Sequence, residues 1–267
     1  MSRDIVSGLK FRRKSGLDGP AIARTIEAGY LAKARESKFT TKKTFAPSSI
    51  GYGHATCARY WYQAFSGAFF EENVDAMGLA NMAYGSQAHE RIQKIMADQG
   101  ILEAAEVEIT LSDPPVRGYL DALINWEGET IVAEIKTTRQ ESFVFKQVSG
   151  KPSPNHLLQI LLYLKATGCK RGFLLYENKN DQSFLVIPVE FDEKNQAILE
   201  DALVWMRKVY KTWQDKIVPN RPFRPKYDEN NKVILGQVCG NCPIRKACWE
   251  DTNAGEVKIT RMAVPTL

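Results

Sequence analysis

The sequence predicts an α/β protein with a mixed β-sheet flanked by helices. Five segments have the composition and polar–apolar alternation of strands: 107–111, 117–126, 130–138, 172–176 and 184–191. A strongly apolar helical segment separates the third strand from the fourth, and a long amphipathic one follows the fifth. The order helix, three strands, helix, two strands is typical of a sheet that is covered by helices.

The helices are predicted from their start and stop signals. Ser48 and Ser49 can cap a helix over 49–65, which is rich in aromatic residues. Three further helices are expected over 79–99, 155–167 and 192–218, the first two ended by Gly100 and Gly168. Residues 1–45 are also expected to be helical.

Charge is unevenly distributed along the chain. The net charge is +5, but residues 1–50 hold 11 Lys and Arg against 4 Asp and Glu. We therefore expect a basic N-terminal extension over 1–47, one domain over 48–250 and a tail over 251–267. Such an arm could attract phosphate, and it could equally be a solvated helix or leader.

Composition excludes several classes of protein. With 44% apolar and 25% charged residues, the chain is an ordinary globular one. No apolar run reaches the roughly 18 residues of a membrane span, and Met1-Ser2-Arg3-Asp4 begins no secretory signal. We expect a cytoplasmic protein that does not contact a membrane.

Two carboxylates and a lysine form a candidate catalytic group. Glu134 and Lys136 are two residues apart on a predicted strand, so their side chains leave the same face. The hairpin turn can bring Asp121 beside Glu134. Adjacent carboxylates repel unless a cation lies between them, and Mg²⁺ or Mn²⁺ suits oxygen ligands. The pattern predicts metal-dependent hydrolysis, while the triplet alone also fits a strand with exposed charges.

Four motifs in order strengthen that hypothesis. They are Gly85-Ser-Gln-Ala-His89, Gly118-Tyr-Leu-Asp121, Glu134-Ile-Lys136 and Gln159-Ile-Leu-Leu-Tyr163. The set resembles the RecB-type branch of the PD-(D/E)xK nucleases over about residues 48–250. The resemblance implies a restriction-endonuclease-like fold and a DNA exonuclease.

The resemblance also implies a role for each motif residue. His89, Asp121, Glu134 and the main-chain carbonyl of Ile135 would bind the metal. Lys136 would be the catalytic lysine. Gln159 and Tyr163 lie one helical turn apart, and in the family such residues line the active site and touch DNA or the lysine.

Four cysteines predict a second metal centre. Cys57 lies far upstream of Cys239, Cys242 and Cys248. Four thiolates can hold a [4Fe–4S] cluster or zinc, and spacing alone does not choose between them. The arrangement resembles the iron–sulfur subset of the family, which includes CRISPR-associated exonucleases and the AddB nuclease domain. Cys169 has no partner pattern and is expected to be an ordinary buried thiol.

The sequence therefore predicts a Mg²⁺- or Mn²⁺-dependent exonuclease, acting on single-stranded DNA ends. One alternative is a nuclease-like subunit that binds DNA or a protein partner in recombination, repair or CRISPR adaptation. Another is a zinc-stabilised DNA-binding module. No phosphate-binding Gly-x-x-x-x-Gly-Lys-[Ser/Thr] loop occurs, so unwinding would need a partner such as a helicase.

Overall fold

The computed structural model of the protein describes residues 18–34, 38–40, 42–71, 74–223, 226–230 and 233–265. The predicted helicity of residues 1–17 lies outside this part of the chain. Beyond them, Gly19–Ala34 forms a helix as expected. No described helix combines the length and the apolar character that crossing a bilayer requires.

The described residues form eight α-helices and nine strands. The helices are α1 Gly19–Ala34, α2 Ala58–Phe65, α3 Ala76–Asp98, α4 Gln140–Ser149, α5 Pro154–Thr167, α6 Glu193–Gln214, α7 Gln237–Gly240 and α8 Arg245–Glu250. The strands are β1 Lys38–Phe39, β2 Phe69–Phe70, β3 Leu102–Leu111, β4 Val116–Trp126, β5 Glu129–Thr138, β6 Arg171–Asn178, β7 Phe184–Glu190, β8 Lys226–Tyr227 and β9 Val233–Ile234.

The central sheet has five strands in the order β3-β4-β5-β6-β7. Strands β5 and β6 are parallel, and the other neighbours are antiparallel. This confirms the predicted mixed sheet flanked by helices, and it is consistent with a restriction-endonuclease-like arrangement. The parallel pair requires a crossover, which α4 and α5 supply.

The structure differs from the prediction in several places. Strand β1 occupies Lys38–Phe39, within the segment 1–45 that was expected to be helical, and β3 begins at Leu102, ahead of the expected start at 107. The expected helix over 49–65 is a 3-10 turn at Gly53–Thr56 followed by α2, because Gly51 and Gly53 adopt positive φ that interrupts a helix. Helix α4 was not expected, since its sequence carries exposed apolar residues without a clear stripe. The predicted turn at Glu127-Gly128 is confirmed, with positive φ at both residues.

The sheet is packed on both faces. Helix α5 is buried from Leu157 to Leu164 and contributes to the larger apolar cluster. Helix α3 packs Ile92 and Met96 against Ala133 and Ile135 in a second cluster. Strand β5 is therefore held between two helices.

Segments on either side of the predicted domain boundaries pack against the central unit. Phe45 is fully buried and pairs with Val116 at the start of β4. In the tail, Ile259 and Met262 are buried, and the Met262 N–H donates to the Thr56 carbonyl at 2.9 Å.

Gly172 allows β5, β6 and α5 to approach closely. A Cβ there would lie 2.8 Å from the Val132 carbonyl oxygen and 3.0 Å from Ile160 Cδ1. We expect Gly172→Ala to lower the free energy of unfolding by about 1–3 kcal/mol, the usual cost of overpacking. Urea denaturation followed by circular dichroism measures it.

The matched control is Gly29→Ala in α1, where an added Cβ meets nothing within 4 Å. This change should be neutral or stabilising by up to about 1 kcal/mol, because alanine favours helix. Equal midpoints for the two variants would refute the close approach at Gly172.

Candidate active site

The site forms where strands β4 and β5 part. Their antiparallel ladder runs from Trp126–Glu129 to Ala122–Ala133. At the next position, the Asp121 side chain replaces the ladder: its Oδ2 accepts a hydrogen bond from the Ile135 N–H at 2.6 Å. The parting of the strands leaves space in which Asp121 and Glu134 face each other.

A cavity of about 510 Å³ opens at this place. Six of the predicted site side chains line it: His89, Asp121, Glu134, Lys136, Gln159 and Tyr163. The cavity also has a cationic and aromatic rim, formed by Lys42, Arg117 and Tyr119. The side chain of Ile135 is instead fully buried, and its carbonyl as a metal ligand stays a prediction.

Three side chains offer metal-binding atoms close together. One ligand atom from each of His89, Glu106 and Asp121 lies within 4.8 Å of the other two. The His89 Nδ1 atom is 3.3 Å from Asp121 Oδ1. An imidazole nitrogen beside carboxylate oxygens is a donor set that suits Mn²⁺ and accommodates Mg²⁺.

Glu106 is the residue that sequence reasoning missed. It has a φ of 51°, which is uncommon for a residue other than glycine. Gln93 holds it at the site, since its Nε2 donates both to Glu106 Oε1 at 2.9 Å and to the Asp121 carbonyl at 2.8 Å. No motif marks Glu106, because acidic residues recur at 103, 106 and 108 of the same strand.

Glu134 is buried in a way that suits a cation. One carboxylate oxygen, Oε1, accepts a hydrogen bond from Lys136 Nζ. The other, Oε2, is buried and has no hydrogen-bond partner among the described residues. The Asp121 carboxyl could satisfy it only by sharing a proton.

The pKa of Glu134 is raised above its ordinary value. Burial is the main cause and the Asp121 charge adds to it, whereas Lys136 opposes both. An orphaned buried oxygen near the Asp121 carboxylate fits a divalent cation, which would remove both the repulsion and the missing contact. The group formed by His89, Glu106 and Asp121 does not itself include Glu134, so Glu134 as a metal ligand stays a prediction.

Gln159 and Tyr163 support the wall of the cavity. Gln159 Nε2 donates to Tyr163 Oη at 2.9 Å, and Tyr163 Oη donates to the Tyr119 carbonyl at 2.8 Å. Burial raises the pKa of the Tyr163 hydroxyl, so it stays a donor. These bonds connect α5 to β4, and contact with DNA or Lys136 stays a prediction.

The two motif glycines, Gly85 and Gly118, differ in how much space a side chain would have at their positions. A Cβ at Gly118 would lie 2.7 Å from Pro47 Cδ, so the close packing of the cavity rim requires glycine. A Cβ at Gly85 would make an ordinary contact, 3.9 Å from Thr137 Oγ1. Space alone therefore explains Gly118 and leaves Gly85 unexplained.

The four cysteines gather around a second, small cavity. Cys57, Cys239, Cys242 and Cys248 line it together with His54 and Tyr60, and none forms a disulfide. Burial raises the pKa of the Cys57 thiol to about 11 and that of Cys242 to about 12. Half-buried Cys169 is not among the lining residues.

Comparisons with known proteins give structural similarities only. No model of a known protein family matches the chain, and no curated protein matches it. An alkaline exonuclease from Laribacter hongkongensis is similar over 72% of this chain and 95% of its own, with 13% identity and a TM-score of 0.49.

Its complex with dAMP is similar over 72% of this chain and 93% of its own, with 16% identity and a TM-score of 0.47. The protein SSO0001 is similar over 73% of this chain and 86% of its own, with 18% identity and a TM-score of 0.41. Likeness at this level establishes neither activity nor substrate for this chain.

The raised pKa of Glu134 predicts how metal-free stability depends on pH. A carboxyl whose folded pKa exceeds its unfolded value favours folding at low pH, and that contribution is lost as pH rises through the folded pKa. In EDTA, stability should fall between about pH 5 and about pH 8, by at most about 1.4 kcal/mol per pH unit for this one proton.

Glu134→Gln should flatten this dependence, measured as denaturation midpoints across the pH range. The control is Glu103→Gln, an exposed carboxylate whose contact with Asn125 an amide oxygen can keep. An identical slope in wild type and Glu134→Gln would contradict the assigned cause.

Proposed function

We propose that this protein is a metal-dependent DNA exonuclease that hydrolyses phosphodiester bonds at single-stranded ends. The observation that carries the proposal is the shared cavity of His89, Asp121, Glu134 and Lys136, with a buried Glu134 oxygen left without a partner. An ion pair that only stabilises the fold would need one carboxylate beside Lys136, whereas here two buried carboxylates, Asp121 and Glu134, face each other. Preference for ends rests on the resemblance carried by Gln159 and Tyr163.

The metal would be Mg²⁺ or Mn²⁺, held by His89, Asp121 and Glu134, with Glu106 and the Ile135 carbonyl as further oxygen donors. When bound, it supplies Lewis-acid stabilisation of the phosphate and a more acidic water. Hydrolysis forms one P–O bond from water and breaks one P–O bond to the sugar. The proton of the water ends on the leaving oxygen.

Lys136 is the group that acts on the phosphate and the water. Its ammonium lies at the cavity wall, held by Glu134, and its side chain is 19% exposed. A fixed ammonium there stabilises the negative charge that develops on the phosphate and orients the attacking water. Lys42 and Arg117, on the rim, would hold flanking phosphates.

Digestion of labelled strands tests the activity. Linear and circular single-stranded DNA are incubated with Mn²⁺, Mg²⁺ or EDTA. We expect nucleotides to be released from the linear strands only, and only with metal. Lys136→Met should lower the rate about 100-fold or more, because it removes transition-state stabilisation.

The control is Lys165→Met, an exposed lysine on α5 outside the cavity, which should keep the wild-type rate. Cleavage of circles would refute the preference for ends, and cleavage in EDTA would refute the metal. Binding of DNA without cleavage under any condition would favour the alternative of a DNA- or partner-binding subunit.

We also propose that the four cysteines bind a [4Fe–4S] cluster. They come from two distant parts of the chain and surround one cavity. In a tetrahedral zinc site, Zn–S bonds of about 2.3 Å put the sulfur atoms about 3.8 Å apart. In a cluster each thiolate binds its own iron, so the sulfur atoms are spaced more widely.

All four thiols line the same small cavity. The preference for a cluster over zinc rests on the resemblance to the iron–sulfur subset of the nuclease family. The cluster would connect α2 with the C-terminal α7–α8 segment.

Iron analysis and visible absorbance test the cluster. Wild type should be brown and contain about four irons per chain. Cys57→Ser should lose the colour and lower the melting temperature, since the link between distant segments is lost. Cys169→Ser is the matched control and should keep both. Stoichiometric zinc in place of iron would refute the cluster.

A further inference from the structure

Strand β4 carries a short row of side chains that leads out of the active-site cavity. Arg117, Tyr119 and Asp121 are two residues apart, so their side chains leave the same face of the strand. Asp121 lies inside at the metal-binding group, and Arg117 and Tyr119 lie on the rim. The row therefore runs from the proposed catalytic centre to solvent.

Tyr119 is held by hydrogen bonds at its hydroxyl and at its main-chain carbonyl, and it is nevertheless exposed. Its hydroxyl donates to Glu108 Oε2 at 2.8 Å and accepts from Arg117 Nη2 at 3.2 Å. Its main-chain carbonyl accepts from Tyr163 at 2.8 Å. The residue is nevertheless 48% exposed, so the ring has a fixed position and an open surface.

Glu108 holds Arg117 and Tyr119 in a fixed arrangement. Its carboxylate binds Arg117 through both oxygens, at 3.1 and 2.9 Å. The hydrogen bonds from Arg117 and Tyr119 lower the pKa of Glu108, so it remains ionised. The guanidinium thus sits beside the ring, where a phosphate next to a stacked base would need a cation.

We propose that Tyr119 is the stacking platform for the unpaired base next to the scissile phosphate. This inference rests on the proposed function and deepens it, because it explains why an unpaired end would be preferred: a base inside a duplex cannot offer its face to the ring. Two residues along a strand span about 7 Å, so a base on Tyr119 keeps its phosphate within reach of Asp121 and Lys136.

The geometry favours a base over other uses of the ring. A core aromatic would be buried, as Tyr163 and Tyr176 are. A proton-transfer role would leave the hydroxyl facing the reacting atoms, whereas that of Tyr119 is engaged by Glu108 and Arg117. What remains available is the exposed part of the ring, and every base can stack on an aromatic face regardless of sequence.

The test compares labelled single strands that carry either a normal base or an abasic analogue at the terminal positions. Wild type should cleave the normal end about 5- to 150-fold more efficiently, measured as kcat/KM, which is the range that base–aromatic stacking gives. Tyr119→Phe should keep most of this ratio, since the ring remains. Tyr119→Leu should bring the ratio close to one.

Trp126→Leu is the matched control, because Trp126 is an equally exposed aromatic, 52%, at the other end of the same strand and outside the cavity. It should keep the wild-type ratio. Circular dichroism of each variant shows whether it is folded, and quenching of a terminal 2-aminopurine on binding in Ca²⁺ reports the stack independently of turnover.

The outcomes separate the two proposals. If wild type cleaves no DNA with any metal, the proposed nuclease function fails. If wild type cleaves DNA but Tyr119→Leu discriminates normal from abasic ends as wild type does, the platform is refuted and the nuclease stands. A quench that persists in Tyr119→Leu also overturns the platform.

Discussion

The hydrogen bond from the Ile135 N–H to the Asp121 carboxylate is the interaction on which the candidate site depends. It ends the ladder between β4 and β5 without leaving a buried N–H unsatisfied. One carboxylate oxygen of Asp121 thus takes the place of a main-chain carbonyl acceptor on β4, while the other oxygen faces His89. A sheet that continued its pairing here would close the space that the cavity occupies.

The site is assembled from elements that the fold makes rigid. Helix α5 fixes β4 through Tyr163, and α3 fixes β3 and β4 through Gln93, which reaches both Glu106 and Asp121. Groups that would hold a metal are thereby oriented before it binds, which lowers the cost of binding. The left-handed backbone at Glu106 is a local strain that the surrounding contacts maintain.

The sequence predicted the sheet and most of the side chains that line the candidate site, and the features it did not predict have physical reasons. Strand alternation and capping residues are local signals, so β4, β5 and α5 were found nearly at their observed bounds. The position of Glu106 in the candidate site depends on one backbone angle and on a contact with Gln93. The position of the Tyr119 ring depends on its contacts with Glu108 on β3 and Arg117 on β4. Neither kind of contact leaves a pattern in the sequence. Helix α4 was missed because its apolar residues Phe145 and Val148 are exposed.

The contacts between α2 and the C-terminal segment have a consequence for biosynthesis. Buried Arg59 on α2 binds Asp251, Asn253 and the Pro219 carbonyl, and Arg59 and Asp251 are 192 residues apart. At about 5–20 residues per second, a ribosome needs about 10–40 s to make the intervening segment. During that interval the nascent α2 lacks its C-terminal partners, so its aromatic surface and the neighbouring Cys57 thiol are open to chaperones and to oxidants.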